Sequence, residues 1–400
     1  MTLDHVRTLS GGINQSGVRA YNERLILSIL QRSGGLPGRD LARRTGLSPQ
    51  TASVILRKLE QDGLLLKGNP VKGKVGKPSV PYRLNPDGVF SIGLKIGRRS
   101  ADLLVLDAMG DVRHQLRETY DYPLPREVFK FLSLGYTQLV DEMSAEMQAR
   151  LCGIGVAAPF EMWSWHELLD APPDDFAAWK DADFASEAAG IADLPVRLVN
   201  DATAACRAEH VFGIGREYRD YVYFFLGAFI GGGVVLDHAV FEGNQKNAGA
   251  FGTMPVVDLQ GRPGHLIDLA SIRTLEMRLI EAGENPRQLW VQPQDWSHLE
   301  QFVAPWLAQT ADALAIASVA TCAVIDVEAI VIDGAMPTSI RTRLVGATRA
   351  ALKTKDMRGL IRPETVEGQI GANARGIGAA AGPIIGQFML DRAAAMFEQS

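Results

Sequence analysis

Cysteine is scarce in this chain. The 400 residues include three cysteines, Cys152, Cys206 and Cys322, which are widely spaced and form no C-x-x-C pair. An odd number of scattered cysteines predicts a reducing compartment. It also argues against a disulfide framework and against a cysteine-based zinc site.

Long apolar runs are scarce as well. The longest apolar stretch, 221–236, is interrupted by four glycines and is shorter than the roughly 20 residues that a membrane helix needs. The N-terminal sequence MTLDHVRTLSGG has no apolar segment of the kind found in signal peptides. We therefore expect a cytoplasmic protein that does not enter a membrane.

Charge is abundant but unevenly distributed. The chain is 46% hydrophobic and 22% charged, which is typical of globular proteins, and its length allows two or three domains. Residues 1–90 contain 14 Lys and Arg against 6 Asp and Glu, a net charge of +8. Residues 91–400 contain 27 against 40, a net charge of −13. Such a division suggests a nucleic-acid-binding module joined to a body that does not bind nucleic acid.

The basic segment predicts three short helices. NERLILSILQRSGG predicts an amphipathic helix with Asn22 as its N-cap, and PGRDLARRTG predicts a second helix that ends at Gly46. LSPQTASVILRKLEQDG predicts a third helix, with Ser48 as N-cap and Pro49 at its first position. Helical spacing on the third helix assigns four residues to the core: Ala52, Ile55, Leu56 and Leu59.

The outward face of the third helix carries polar side chains suited to the major groove of DNA. The following sequence, LLLKGNPVKGKVGKPSVPYRLN, predicts a lysine-bearing hairpin, or wing. A three-helix domain with a solvated lysine loop is the alternative, but it explains neither the +8 charge nor the polar face. The residues predicted to contact DNA are Gln50, Thr51, Ser53, Val54, Arg57, Lys58, Lys72, Lys74 and Lys77.

These segments resemble a known family. The run NERLILSILQ…LARRTGLSPQTASVILRKLEQDGLL is similar to the winged helix of ROK proteins (repressors, open reading frames and kinases) of the N-acetylglucosamine- and xylose-repressor type. GIGVAAPF, PVRLVNDATAACRAE, FIGGGVVLDHAVFEGNQKNAGAFGTM and IVIDGAMP follow in that family's order. The resemblance implies an α/β chain with a winged helix-turn-helix and a two-lobed, actin-like (ribonuclease-H-like) body. The expected limits are 1–88 for the DNA-binding domain and 89–400 for the body, with lobe one at about 89–200 and 376–400 and lobe two at about 201–375.

The pair Asn200–Asp201, after the strand VRLV, is the most specific motif of the body. In kinases of the family, the matching aspartate takes a proton from a sugar hydroxyl and the asparagine holds the sugar, whereas repressors keep the pair for sugar binding. An Asx turn that caps the next helix is compatible with either role. The resemblance implies an effector site formed by Asn200, Asp201, Asn247, Gly249 and Thr253.

The residues needed for phosphoryl transfer are altered. Lys95 stands where the family has an aspartate, so a magnesium–phosphate site would lack a hard oxygen ligand. In the glycine cluster GAFIGGGVV, Ala228 and Phe229 replace a threonine and a glycine of the family pattern. We therefore expect the cluster to form a structural turn between two strands, without a bound nucleotide or other cofactor.

The sugar and zinc motifs also depart from the family pattern. Ala250 and Thr253 replace a sugar-binding glutamate and a zinc-binding histidine, and Ile267 replaces a second glutamate. The three cysteines of the zinc motif are replaced by Asp258, Gln260 and His265. One histidine without thiolates is a poor zinc site, so we expect no metal.

The pattern as a whole favours a DNA-binding transcriptional regulator without enzymatic activity. We expect a repressor of carbohydrate uptake or catabolism genes that binds double-stranded operator DNA as a homodimer or homotetramer. An active or bifunctional sugar kinase, or a regulator that responds to a protein partner, is the alternative.

The chemistry of the effector is less determined. Lys95, Arg98 and Arg99 lie on a hairpin that would face the cleft, which favours a sugar acid or a phosphorylated sugar. The alternative is that these three residues decorate a solvated turn.

Overall fold

The computed structural model describes residues 15–70, 80–159, 162 and 173–390. The wing residues Lys72, Lys74 and Lys77 lie outside these ranges. The N-terminal domain consists of α1 (Gln15–Ser33), β1 (Leu36–Pro37), α2 (Gly38–Thr45), α3 (Pro49–Gln61), β2 (Leu65–Lys67) and β3 (Pro81–Leu84). Its three strands form one antiparallel sheet in the order β1-β3-β2.

The winged helix-turn-helix prediction is confirmed, with one correction. The Ser48 hydroxyl accepts a hydrogen bond from the Thr51 amide at 3.1 Å and caps α3, and Pro49 is its first residue. The predicted core residues of α3 are buried: Ala52, Ile55, Leu56 and Leu59. The first helix, however, begins at Gln15, so Asn22 lies inside it and does not cap it. No proline interrupts the residues before Asn22, and the helix continues through them to reach the body.

The first lobe of the body is built on a five-stranded sheet. Its elements are β4 (Phe90–Ile96), β5 (Ser100–Asp107), β6 (Val112–Thr119), α4 (Pro125–Glu142), α5 (Ala145–Gln148), β7 (Leu151–Ala158), α6 (Pro173–Ala177), α7 (Phe184–Ala189) and β8 (Val196–Asn200). The strand order is β6-β5-β4-β7-β8, with the first pairs antiparallel and the last two parallel. Both β4 and β5 are buried along their whole length, as expected of strands covered on two faces.

The second lobe repeats this topology. It follows α8 (Asp201–Phe212) and contains β9 (Tyr221–Leu226), β10 (Ile230–Leu236), β11 (Ala239–Phe241), β12 (Pro255–Val257), β13 (Pro263–His265), α9 (Leu266–Ala270), α10 (Ile272–Glu281), α11 (Glu300–Cys322), β14 (Ala329–Gly334), α12 (Thr338–Thr354) and β15 (Glu364–Glu367). The strand order β11-β10-β9-β14-β15 matches that of lobe one, element for element. No internal sequence repeat accompanies this shared topology.

The last helix, α13 (Ala374–Phe388), returns to the first lobe. It packs against β4, β7 and α8. The approach is very close: a Cβ on Gly378 would lie 1.7 Å from the backbone oxygen of Ala204 in α8. Only glycine permits such contact, so α8 and α13 are fixed together between the lobes.

The segment Ser297–Cys322 is long and apolar enough to span a membrane by length and composition alone. It packs as a core helix, with 56% of its most apolar window buried. Trp306 and Leu314 are fully buried. Burial of this kind is expected of a helix that covers a sheet.

Candidate functional site

The structure presents the polar face of α3 on the surface. Gln50, Thr51, Ser53 and Arg57 are exposed, and Val54 is 57% exposed. Among the described residues, Arg57 has no ion-pair partner, whereas Lys58 Nζ lies 2.8 Å from an Asp62 carboxylate oxygen. The exposed face of α3 therefore combines one unpaired cation with short polar side chains. Side chains of these types make hydrogen bonds to base edges in the major groove.

A second candidate site is a cleft between the lobes. Its cavity has a volume of about 210 Å³ and is lined by residues of both lobes and of α13. All five residues of the predicted effector site line it: Asn200, Asp201, Asn247, Gly249 and Thr253. The sequence separates these residues by up to 53 positions, and the fold brings them to one cavity.

Asn200 and Asp201 are both engaged in contacts within the protein. The Asn200 side-chain oxygen accepts hydrogen bonds from the amides of Ala202 at 3.0 Å and Thr203 at 3.3 Å, so the Asx turn that caps α8 is present. Arg375 Nη1 donates to Asp201 Oδ2 at 3.2 Å. The Arg375 guanidinium also lies 5.1 Å from the centre of the Phe225 ring. The asparagine oxygen thus caps α8, while the aspartate carboxylate is held in an ion pair.

Sequence reasoning did not select Arg375. Its signal is visible in retrospect, because Arg375 is the sole charged residue in the Ala/Gly-rich run 371–386. A charged side chain in such a run is costly to bury unless it has a partner. Its partner, Asp201, lies 174 positions earlier, so no local pattern points to the pair.

The glycine cluster forms a hairpin turn between β9 and β10. The turn is fixed by α10, whose amides at Ile272 and Arg273 donate to the carbonyl oxygens of Gly227 and Ala228, each at 3.1 Å. A Cβ on Gly231 would lie 2.8 Å from the Cβ of Ala202 in α8. The glycines therefore allow β10 to approach α8 closely, and this packing requires them without any phosphate.

Lys95 is buried and does not face the cavity. Its ammonium donates to Asp102 Oδ2 at 3.0 Å, on the adjacent strand, and to the Ser100 hydroxyl at 3.0 Å. Burial lowers the pKa of Lys95 to about 8, although the Asp102 carboxylate opposes the shift. Burial alone would raise the pKa of Asp102, but Lys95 and Arg117 outweigh it and hold that pKa below its usual value. Lys95 and Asp102 are thus both ionised at neutral pH, and the charge of Lys95 neutralises that of the Asp102 carboxylate.

The expectation that Lys95, Arg98 and Arg99 all face the cleft is wrong for two of them. Arg98 does line the cavity and donates to the buried Glu276 carboxylate. Arg99 instead donates to the backbone oxygen of Asp121 at 3.0 Å. Arg98 and Arg99 lie in the turn between β4 and β5, where their side chains take different directions, Arg98 towards Glu276 and Arg99 towards Asp121.

The positions of the family's zinc motif do not fit a metal. Asp258 accepts from Arg262 Nε at 2.6 Å, and His265 is exposed and lies 3.6 Å from Asp268. Within the described ranges no group of three or more His, Cys, Asp or Glu is placed to hold a metal ion. A magnesium–nucleotide complex fits no better, because Asp201 is the one carboxylate among the described residues that line the cavity, and it is paired with Arg375.

The DNA-binding domain contacts the body through α1 and the C-terminal end of α8. Gln31 Nε2 donates to the Val211 carbonyl oxygen. Arg32 Nη2 donates to the His238 carbonyl oxygen at 2.9 Å and lies 3.3 Å from His210 Nε2. Since α8 begins at the cleft with Asp201 and ends beside α1, one helix runs from the cleft to the DNA-binding domain.

Comparisons with known proteins agree with this architecture. Residues 19–65 match a family described as winged helix-turn-helix DNA-binding, and residues 91–382 match the ROK family. The chain is 25% identical over 373 residues to the uncharacterized protein y4fQ of Sinorhizobium fredii, covering 92% of each. It is 21% identical over 248 residues to the xylose repressor of Bacillus subtilis, covering 62% of this chain and 63% of the repressor.

A solved structure supports the fold. It is described as a ROK family transcriptional regulator, a homologue of the Escherichia coli MLC protein, and it superimposes with a TM-score of 0.65 at 19% identity. The match covers 95% of this chain and 98% of that one. Because the ROK match extends over well more than half of the sequence, this chain belongs to the ROK family.

Proposed function

We propose that this protein is a transcriptional repressor that binds double-stranded operator DNA through α3 and binds a sugar-derived effector in the interlobe cleft. The family relationship supports it, since the chain matches a winged helix-turn-helix and the ROK family and is 21% identical to a xylose repressor over 62% of its length. The target genes would encode carbohydrate uptake or catabolism. A protein of this kind works on the chromosome, so we place it in the cytoplasm.

One observation carries the proposal. An exposed polar helix face on a winged helix is joined through α1 to α8, and the opposite end of α8 lies in a cavity of about 210 Å³. Pockets for drug-sized ligands measure roughly 300–1,000 Å³, so this cavity suits a monosaccharide. A helix of 12 residues spans about 18 Å, which sets the distance over which the ligand would act.

We propose that the cleft binds its ligand without phosphorylating it. A kinase needs a carboxylate within reach of the attacking hydroxyl and free to take its proton. Asp201 is instead held by Arg375, and Lys95 and Asp102 neutralise each other beside the site. Phe229 also lines the cavity at the turn where a phosphate would enter.

We further propose that the protein acts as a homodimer or homotetramer. One winged helix contacts only a few base pairs, and two-fold symmetric proteins match half-sites that are separated by whole helical turns of DNA. Operator sites would then be inverted repeats. The operator sequence itself is the first quantity to determine.

The test begins with the full-length protein and a pool of random-sequence DNA. Repeated selection should enrich an inverted repeat, and fluorescence anisotropy should then measure binding to it with and without a panel of monosaccharides, their acids and their phosphates. We expect at least one panel member to release the DNA. In parallel, the purified protein should transfer no phosphate from ATP to any panel sugar.

Two outcomes would contradict the proposal. Failure to enrich any sequence would remove DNA recognition, and ATP-dependent phosphorylation of a sugar would restore the kinase alternative. Enrichment of an inverted repeat whose binding no sugar changes would favour control by a protein partner. That third outcome would leave the repressor assignment and overturn the sugar effector.

A further inference from the structure

Two arginines that line the same cavity each have a guanidinium N–H group without a hydrogen-bond acceptor. Arg98 is 7% exposed, and Arg375 has a side chain that is 12% exposed. Each forms an ion pair through one terminal nitrogen: Arg98 with the Glu276 carboxylate and Arg375 with the Asp201 carboxylate. The Nε of each is buried and has no hydrogen-bond partner among the described residues.

A buried N–H without an acceptor is unfavourable and needs an explanation. An unmade hydrogen bond of a charged group forfeits more free energy than that of a neutral one. Here two such donors belong to cations that line one cavity. A ligand oxygen that accepts from these guanidinium groups inside the cavity would offset part of this deficit, and an anionic oxygen would do so most strongly.

The charges around the cavity favour a single negative charge. Of the charged side chains among the described residues that line it, Arg98 and Arg375 are positive and Asp201 is negative, a net charge of +1. A carboxylate brings one charge and two oxygens. A phosphate brings about −1.5 to −2, more than these groups offset.

The remaining lining agrees with a sugar framework. Asn200 keeps its amide N–H groups available, because the cap on α8 uses the side-chain oxygen. Apolar surface comes from Phe229, Ile230 and Ile267. The cavity therefore offers donors for hydroxyl oxygens and an apolar wall for a sugar ring.

We propose that the cleft selects an acidic monosaccharide, a uronic or aldonic acid, whose carboxylate is bound between Arg98 and Arg375. This inference rests on the proposed sugar-binding function of the cleft and assigns its ligand class. Arg98 and Arg375 act as specificity-determining residues. Asp201 orients Arg375, and Glu276, which also accepts from Trp290 Nε1 at 2.7 Å, orients Arg98.

Isothermal titration of the full-length protein tests the proposal. The probes are glucuronate, galacturonate and gluconate, the neutral sugars glucose and galactose, and glucose 6-phosphate. We expect at least one acid to bind, with its neutral parent at least about tenfold weaker, as the loss of a charge-assisted hydrogen bond predicts. Arg375→Gln and Arg98→Gln should each weaken binding of the acid by about tenfold or more.

The same hairpin supplies a matched control. Arg99 neighbours Arg98 but does not line the cavity; it is half-buried and contacts Asp121, so Arg99→Gln should change affinity by less than about twofold. Arg375→Lys keeps the charge but removes the planar guanidinium fork, so it should recover only part of the affinity that Arg375→Gln loses. Circular dichroism and binding to the selected DNA show whether each variant is folded.

The contrary results are distinct. Equal affinity for an acid and its neutral parent, or unchanged binding in both arginine variants, overturns the proposal while leaving a sugar-responsive repressor intact. Binding of glucose 6-phosphate without binding of any acid replaces the carboxylate with a phosphate and also overturns it. If no probe binds and no sugar releases DNA, the sugar effector of the proposed function fails together with this assignment.

Discussion

Acidification should destabilise this protein through His210, a buried histidine where α1 meets α8. His210 is 8% exposed, and burial together with the Arg32 guanidinium lowers its pKa from 6.5 to about 4. The folded protein therefore binds this proton less readily than the unfolded chain. The stabilisation is complete above pH 6.5 and is lost as the pH falls towards 4.

The magnitude follows from the shift of the pKa. One pKa unit corresponds to about 1.4 kcal/mol, so the full effect is on the order of 3 kcal/mol when His210 is protonated in both states. At about pH 5 the same relation gives roughly 2 kcal/mol. The charged imidazole would also lie beside Arg32, at 3.3 Å, and repel it.

Urea unfolding of wild type and His210→Gln, followed by tryptophan fluorescence, measures the effect. Glutamine keeps a polar side chain and does not titrate. Between about pH 7.5 and about pH 5, the wild type should lose roughly 2 kcal/mol of unfolding free energy relative to the variant. His298→Gln, at an exposed histidine, controls for the loss of an imidazole side chain.

One result would refute the reasoning. If the difference in unfolding free energy between wild type and His210→Gln stays constant from about pH 7.5 to about pH 5, His210 binds protons equally in the folded and unfolded states. The α1–α8 contact would then be open to solvent. It could not serve as the rigid link between DNA-binding domain and body.

Three other expectations concern DNA binding, packing and coupling. Arg57→Ala should weaken binding to the selected DNA and relax its base preference by about 1–3 kcal/mol in anisotropy titrations, whereas Ala at the exposed Arg358 should not. Gly378→Ala forces a Cβ into α8, so it should lower the free energy of unfolding in urea by about 3 kcal/mol or more. Gly346→Ala is the control: a Cβ there would have nothing within 4 Å, so this substitution should raise the free energy of unfolding by about 0.5–1 kcal/mol. Arg32→Gln should keep DNA and ligand affinities but reduce ligand-induced release of DNA, and unchanged release would exclude this contact from coupling.

Local sequence signals were sufficient for the DNA-binding domain. The Ser48 cap, Pro49 at the first position and four regularly spaced apolar residues fix α3, since each acts within a few positions of the chain. Asn22 shows the limit of such signals. Asparagine is a good cap only where the preceding chain leaves the helix, and here the chain before Asn22 is helical from Gln15 onward.

The cleft was only partly predictable for a different reason. Its five expected lining residues follow family motifs and do meet at one cavity. Their partners do not follow from any motif: Arg375 reaches Asp201 across 174 positions and Arg98 reaches Glu276 across 178. These ion pairs depend on the relative orientation of the two lobes. Neither the periodicity of apolar residues nor the amino-acid composition predicts that orientation.

The glycine cluster is compatible with two physical roles, phosphate binding and close packing. Glycines allow backbone N–H groups to approach a phosphate, and they equally allow a strand to approach a helix. In this chain Gly231 meets Ala202, and the turn carbonyls of Gly227 and Ala228 accept from α10. The packing role holds α8 against β10 whether or not a nucleotide is ever bound. A chain of this fold that did not bind phosphate would therefore still need glycine at these positions, because α8 must keep its position between the cleft and α1.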